Sequence, residues 1–208
     1  GFIMSIVTLN DRAVRSVTAF GSLNTGSMVF IKKLTASSSG TLSFVDGASS
    51  VVLDSTYKEY VFTFKDIHPS ADGASFQFQC STDSGSNYNK TITSSFFRAR
   101  HDEADSIASL AYAGNDDLAQ STNFQNLAIE VGNGNDECCS GFLHLFNPSS
   151  TTFVKHYISR FSNYEDDSIA RDENSAGYMN TTSAIDAVQF KMSSGNIDSG
   201  DICLYGIL

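Results

Sequence analysis

The sequence predicts an all-β fold, an antiparallel two-sheet sandwich, on three observations. Apolar side chains recur at every second position through many short segments, the period of a strand with one face in a core. Clusters of Asp, Asn, Ser and Gly separate those segments about every 8–12 residues, as in a sandwich or barrel and unlike alternating strands and helices. Sixteen Phe and eight Tyr, beside only two Pro and no Trp, supply bulky anchors for a pleated, half-buried surface. The chain has 208 residues, no linker-like stretch and no fixed-period repeat, so one β-sandwich domain over residues 1–208 is expected. Residues 1–13 are a candidate N-terminal arm to it.

Taken in order, residues 10–13 suggest a short turn, residues 14–20 a strand and residues 23–27 a polar turn around Asn24 and Gly26. Residues 28–34 (MVFIKKL) read as the next strand, 36–40 as a serine-rich turn and 41–45 as a strand, after which Asp46-Gly47 signals a hairpin. The cleanest alternation lies in residues 58–67, with Tyr60, Phe62 and Phe64 on one face and Glu59, Val61 and Thr63 on the other. Past the breaks at His68-Pro69 and Asp72-Gly73, Phe76, Phe78 and Cys80 repeat the period, and these two strands are expected to pair as neighbours. Residues 81–90 (STDSGSNYNK) form a polar loop and 91–100 a strand, while 106–112 fit either a strand or a short helix. Further strands are expected at 126–131, 139–146 and 152–161, with the turn GNGNDE at 132–137. Residues 162–175 are acidic and read as a solvated loop. The chain ends on a strand, a glycine-bounded turn and a strand over residues 182–208, in which Ile202 and Leu204 oppose Cys203 and Tyr205; this pair is expected as a closing hairpin.

A net charge of −10 repels phosphate backbones and anionic membranes, so no nucleic-acid partner is expected. No window approaches the roughly 18 apolar residues of a bilayer span, and the N-terminal stretch lacks the regions of a signal peptide. No membrane span is expected. The Asn-x-Thr matches at Asn89 and Asn180 are accordingly read as incidental. Cys80, Cys138, Cys139 and Cys203 are read as thiols, since adjacent Cys138 and Cys139 point to opposite faces of a strand and no zinc-type spacing accompanies them.

No catalytic or metal residue is assigned. Histidines 68, 101, 144 and 156 lie far apart without a nucleophile elbow, and His144 and His156 fall within strands, where hydrogen-bonded packing roles are expected. Acidic clusters at 102–105, 116–117, 165–167 and 172–173 read as solvated loops, and paired glycosidase carboxylates cannot be recognised from spacing. The loops at 83–87 and 133–137 carry oxygens suited to calcium but lack an EF-hand register, so no cofactor is assigned. Tyr88, Tyr112, Tyr164 and Tyr178 lie in or beside loops and are the candidate ligand or partner contacts, through stacking on a sugar ring or anchoring a neighbouring subunit.

Three segments carry a resemblance to known proteins and together cover under half of the chain. They are residues 57–88 (YKEYVFTFKDIHPSADGASFQFQCSTDSGSNY), residues 141–148 (GFLHLFNP) and residues 190–208 (FKMSSGNIDSGDICLYGIL). The pattern resembles virion structural proteins of tailed bacteriophages, particularly marine ones. That resemblance implies a jelly-roll-like module of a tail, fibre or capsid exterior, located in the virion. The partners it implies are other virion proteins, further copies of the chain and a host-surface glycan, and it brings no catalytic residues. A lectin-like carbohydrate-binding module is the alternative, and a polysaccharide-degrading enzyme a third reading.

Overall fold

The structure is a computed structural model describing residues 27–208. The expected arm, the strand at 14–20 and most of the turn at 23–27 lie outside the described residues. Among those described there are twelve strands and no helix. In chain order they are β1 (Met28–Thr35), β2 (Leu42–Val45), β3 (Glu59–Pro69), β4 (Ala74–Ser81), β5 (Ile92–Asp102) and β6 (Ala108–Tyr112). They continue with β7 (Gln125–Val131), β8 (Cys139–Phe146), β9 (Lys155–Glu165), β10 (Ile169–Met179), β11 (Ala187–Met192) and β12 (Ile197–Ile207).

All pairings are antiparallel, and the hydrogen-bonded path runs β1-β12-β3-β8-β9-β7-β4-β11-β2 without breaking into two separate sheets. The sheet curls until its two ends, β1 and β2, face each other across a cleft of about 150 Å³ lined by Lys32, Leu34, Ser43 and Val45. It is nearly closed into a barrel. At β9 the sheet forks: β10 pairs along the length of β9, whereas β7 joins it only where Val131 meets Glu165. A ribbon of β10, β5 and β6 thereby extends the wall away from the closure.

The alternation that predicts the strands also fills the interior. Tyr60, Phe62 and Phe64 of β3 point inward and are buried, as are Phe76 and Phe78 of β4, Phe161 of β9 and Phe190 of β11. Phe190 is the hub: its ring centroid lies 5.3 Å from Phe62, 5.0 Å from Phe64, 5.9 Å from Phe76 and 6.3 Å from Phe44. Removing that ring strips edge and stacking contacts from four neighbours at once, so Phe190→Ala is expected to lower stability by about 3 kcal/mol in urea unfolding. Gly141 is fixed by the neighbouring strand and the same packing, because a Cβ there would sit 2.3 Å from the Arg160 carbonyl oxygen and 2.7 Å from the Phe161 ring.

Several neighbour relations differ from the sequence expectation, all for one reason. Strand β3 pairs with β12 and β8, and β4 with β7 and β11, so β3 and β4 are not edge-to-edge neighbours. They meet across the core, with Phe64 and Phe76 5.4 Å apart. The expected closing hairpin is likewise absent: β11 joins β4 and β2, and β12 joins β1 and β3. Asp46-Gly47 turns the chain without forming a hairpin, and β2 pairs with β11. Each of these turns carries the chain to a non-adjacent strand of the curled sheet, so the strands it joins do not pair. The 106–112 segment is strand β6.

Residues 162–175 are not a solvated loop. They hold the end of β9, a turn at 166–168 and half of β10, and their buried positions are mostly polar or charged: Asn163, Glu165, Arg171, Glu173 and Ser175 beside Ile169.

Candidate interface on the outer sheet face

The outward side chains of β1, β12, β3, β8, β9, β10, β5 and β6 share one broad face. Strand register places Phe30, Tyr205, Val61, His144, Ile158, Ala176 and Ser95 in one cross-strand row. The next row runs Thr63, Phe142, Arg160, Asn174, Phe97 and Tyr112. Aromatic contacts run along and between the rows, with Phe30 against Tyr205 at 5.7 Å within one row and Phe142 against His144 at 5.3 Å between the two.

This face is unusual in what it leaves in water. Phe30, Phe97, Leu110, Tyr112, Phe142 and Ile158 expose between 38 and 75% of their surface. Six such side chains, each worth roughly 150–250 Å² when fully covered, leave on the order of 500–800 Å² open. That reaches the roughly 800 Å² per partner of a standard protein interface.

Most charges on the band come as internal pairs, Lys65 of β3 being an exception. Arg160 donates to both carboxylate oxygens of Asp172 at 2.8 and 2.7 Å, Lys33 donates to Asp201 at 3.1 Å, and His144 is bonded to Glu59. In a chain of net charge −10 this face is locally balanced. Among the described residues strand β6 leaves one edge unpaired, and all five of its residues, ASLAY, are exposed and uncharged. Such an edge lacks the lysine or proline that commonly blocks strand addition.

Beside the band, towards the β9–β10 turn, lies a trough. Its floor is short side chains, Ser140 on β8, Ser162 on β9 and Ala170 on β10, between Tyr164 and His101 on one side and Phe142 and Arg160 on the other. Two depressions, of about 440 and 420 Å³, share Ser140 and Ser162.

Directly beneath the trough is a buried ionic cluster. Arg171 points inward from β10 with its side chain 1% exposed; Nε and Nη2 donate to the Glu165 carboxylate, and Nη2 also reaches Glu130. Nη1 lies 3.7 Å from Glu173, which accepts the backbone N–H of Ile129 at 3.2 Å. Asn163 completes the floor, donating to the Ile129 carbonyl at 2.6 Å. Burial pushes the Glu173 carboxyl up to about 8, the nearby Arg171 charge opposing this only in part. Burial also raises Glu165 against the pull of Arg171, whereas at Glu130 burial is outweighed by the Arg171 charge and hydrogen bond, and the carboxyl sits below its ordinary value.

Compared with known proteins, the chain matches no protein-family model, no curated protein and no solved structure.

The four tyrosines singled out in the sequence divide. Tyr112, Tyr164 and Tyr178 lie on the outer face: Tyr112 donates to Asp117, Tyr164 donates to Glu103 at 3.2 Å, and Tyr178 rests 6.1 Å from the His156 ring. Tyr88 stands apart, half-buried in the 81–90 loop with its hydroxyl against Gly85 and near Val45. His144 and His156 are also on the outer face. The exposed Phe97, Phe142 and Ile158 and the cluster around Arg171 escaped sequence reasoning. For residues 139–146 the signal was available, because aromatic or aliphatic residues occupy both phases of the strand.

Cys80, Cys138, Cys139 and Cys203 are free thiols, with Cys139 buried and Cys138 on the opposite, outer side. Glu165, Asp166 and Asp167 bring carboxylate oxygens within 4.8 Å of one another. Glu165 is already engaged by Arg171. No helix among the described residues is long and apolar enough to cross a membrane.

Proposed function

We propose that this chain is a structural subunit that assembles with copies of itself through the outer face, as an exterior component of a tailed-phage virion. The exposed apolar band from Phe30 to Tyr112 carries the reading. An area near that of a standard interface, on a face whose charges are mostly paired, suits a second copy better than a strongly charged partner, because each pair meets its own kind about a two-fold axis. The opposing walls of the curled sheet are read as a jelly-roll-like sandwich, in keeping with the virion resemblance of residues 57–88, 141–148 and 190–208. Its role is taken as structural, with other virion proteins as further neighbours in a tail, fibre or capsid exterior.

Sedimentation over a dilution series tests this. The protein is expected to associate below about 100 μM, and Ile158→Asp combined with Phe30→Asp to weaken that association at least tenfold without altering the unfolding midpoint. A chain that stays monomeric at about 1 mM, or a double variant that associates as tightly as the parent, overturns the proposal.

A further inference from the structure

We infer that the trough between Tyr164 and Phe142 is a binding site for a neutral saccharide. Its size falls within the roughly 300–1,000 Å³ of small-molecule sites, at about 440 and 420 Å³ for its two joined halves. It exists because row neighbours that are tall elsewhere are short here: Ser140 pairs with Ser162, and Tyr164 pairs with Ala170, which in turn pairs with His101.

The lining selects the chemistry. The acidic groups at the rim are turned to protein donors and, among the described residues, do not converge on a common cation position. Asp102 accepts the backbone N–H groups of Ser106 at 2.8 Å and Ile107 at 2.6 Å, Glu103 accepts the Tyr164 hydroxyl, and Asp105 bonds His101 at 3.0 Å. Asp172 is held by Arg160. The same carboxylates repel an anion. An apolar ligand would strand the floor hydroxyl of Ser162 and the proton of Ser140, whose oxygen already accepts the Asp66 N–H at 3.0 Å.

A pyranose presents both requirements at once. Its C–H face suits a Tyr164 ring held in place through the bond to Glu103, and its hydroxyl rim meets the serines and the N–H groups of Arg160 not directed at Asp172. The trough shares Phe142 and Arg160 with the apolar band and runs from there to Ser168 and Glu103 of the turns, so saccharide binding and self-association are read separately in the test below.

The test is a backbone amide shift titration of the chain with glucose, galactose, mannose and N-acetylglucosamine, each to about 50 mM. At least one is expected to bind with millimolar affinity, shifting Ser140, Ser162, Tyr164 and Ala170. Ser162→Leu, which fills the floor from an outward position, is expected to abolish those shifts, and Tyr164→Ala to weaken binding at least tenfold. No shift with any of the four sugars, shifts confined to another surface, or undiminished binding by both variants overturns the inference. Association measured in parallel separates this outcome from that of the assembly proposal.

Discussion

Arg171→Met is expected to destabilise the fold by about 3–5 kcal/mol at pH 7, the usual cost of stripping one partner from a buried charged group. Among the described residues the guanidinium is the only cation bonded to Glu165, whose side chain is 6% exposed, and the nearest to Glu173, which is fully buried. Methionine fills similar volume, so lost packing contributes little. What remains is the uncompensated charge of Glu165, with Glu130 beside it, because burial already keeps Glu173 protonated at this pH. Two controls separate charge from shape. Urea unfolding at pH 5 is expected to show a smaller loss than at pH 7, because the stranded carboxyls then take up protons. The triple variant with Glu165→Gln and Glu173→Gln is expected to recover most of the difference. A loss that is the same at both pH values and unaffected by the two glutamines would mean that the side chain acts through packing alone.

Face assignment was legible in the sequence wherever one phase of a strand was apolar and the other polar. Tyr60, Phe62 and Phe64 of β3 are buried, with Glu59 and Thr63 towards the outer face, and Ile202 and Leu204 are buried opposite Cys203 and Tyr205. Pairing was not legible, because a period of two fixes which way a side chain points and not which strand lies beside it. Strands β3 and β4 are joined by Ser70 to Gly73, short enough for a hairpin, yet they pack face to face across Phe64 and Phe76. The segment over β10 failed differently. Its inward positions are Arg171, Glu173 and Ser175 and its outward ones Ala170, Asp172 and Asn174, so polar residues occupy both phases and the alternation vanishes. Only the distances among Arg171, Glu165, Glu130 and Glu173 reveal that the interior here is ionic.

The candidate surface follows from the opposite exception. Along β8, Leu143 and Leu145 point inward while Phe142, His144 and Phe146 point outward, so both faces carry apolar or aromatic groups and neither reads as solvent. A strand of this kind in the wall of a nearly closed barrel has one face satisfied by the core and one left over. The leftover face recurs at Ile158 on β9 and Phe97 on β5, which register brings into adjoining rows. The contiguity, invisible in any one strand, makes the outer face a site.

Stability should fall as pH rises from about 5 to 8, the reverse of the usual behaviour of paired carboxylates. Glu173 is raised in the folded chain to about 8 from an ordinary value of 4.5, so the folded state holds a proton that the unfolded state has released over that interval. Unfolding therefore becomes easier with each increment of pH between the two values, and flat above the upper one. The interval corresponds to at most about 5 kcal/mol, at 1.36 kcal/mol for each tenfold change in proton affinity. Carboxylates held low, including Glu130 and Asp172, act in the other direction but only below their ordinary values, where acid removes their contribution. The two trends place the stability maximum near pH 5. Urea midpoints at pH 5 and pH 8 check this directly. Glu173→Gln keeps an acceptor for the Ile129 N–H but has no proton to lose, and is expected to hold its pH 5 stability through pH 8. Equal midpoints for the parent at both pH values, or a variant that declines as steeply as the parent, would show that Glu173 stays ionised beside Arg171 and that the cluster is balanced by charge rather than by a trapped proton.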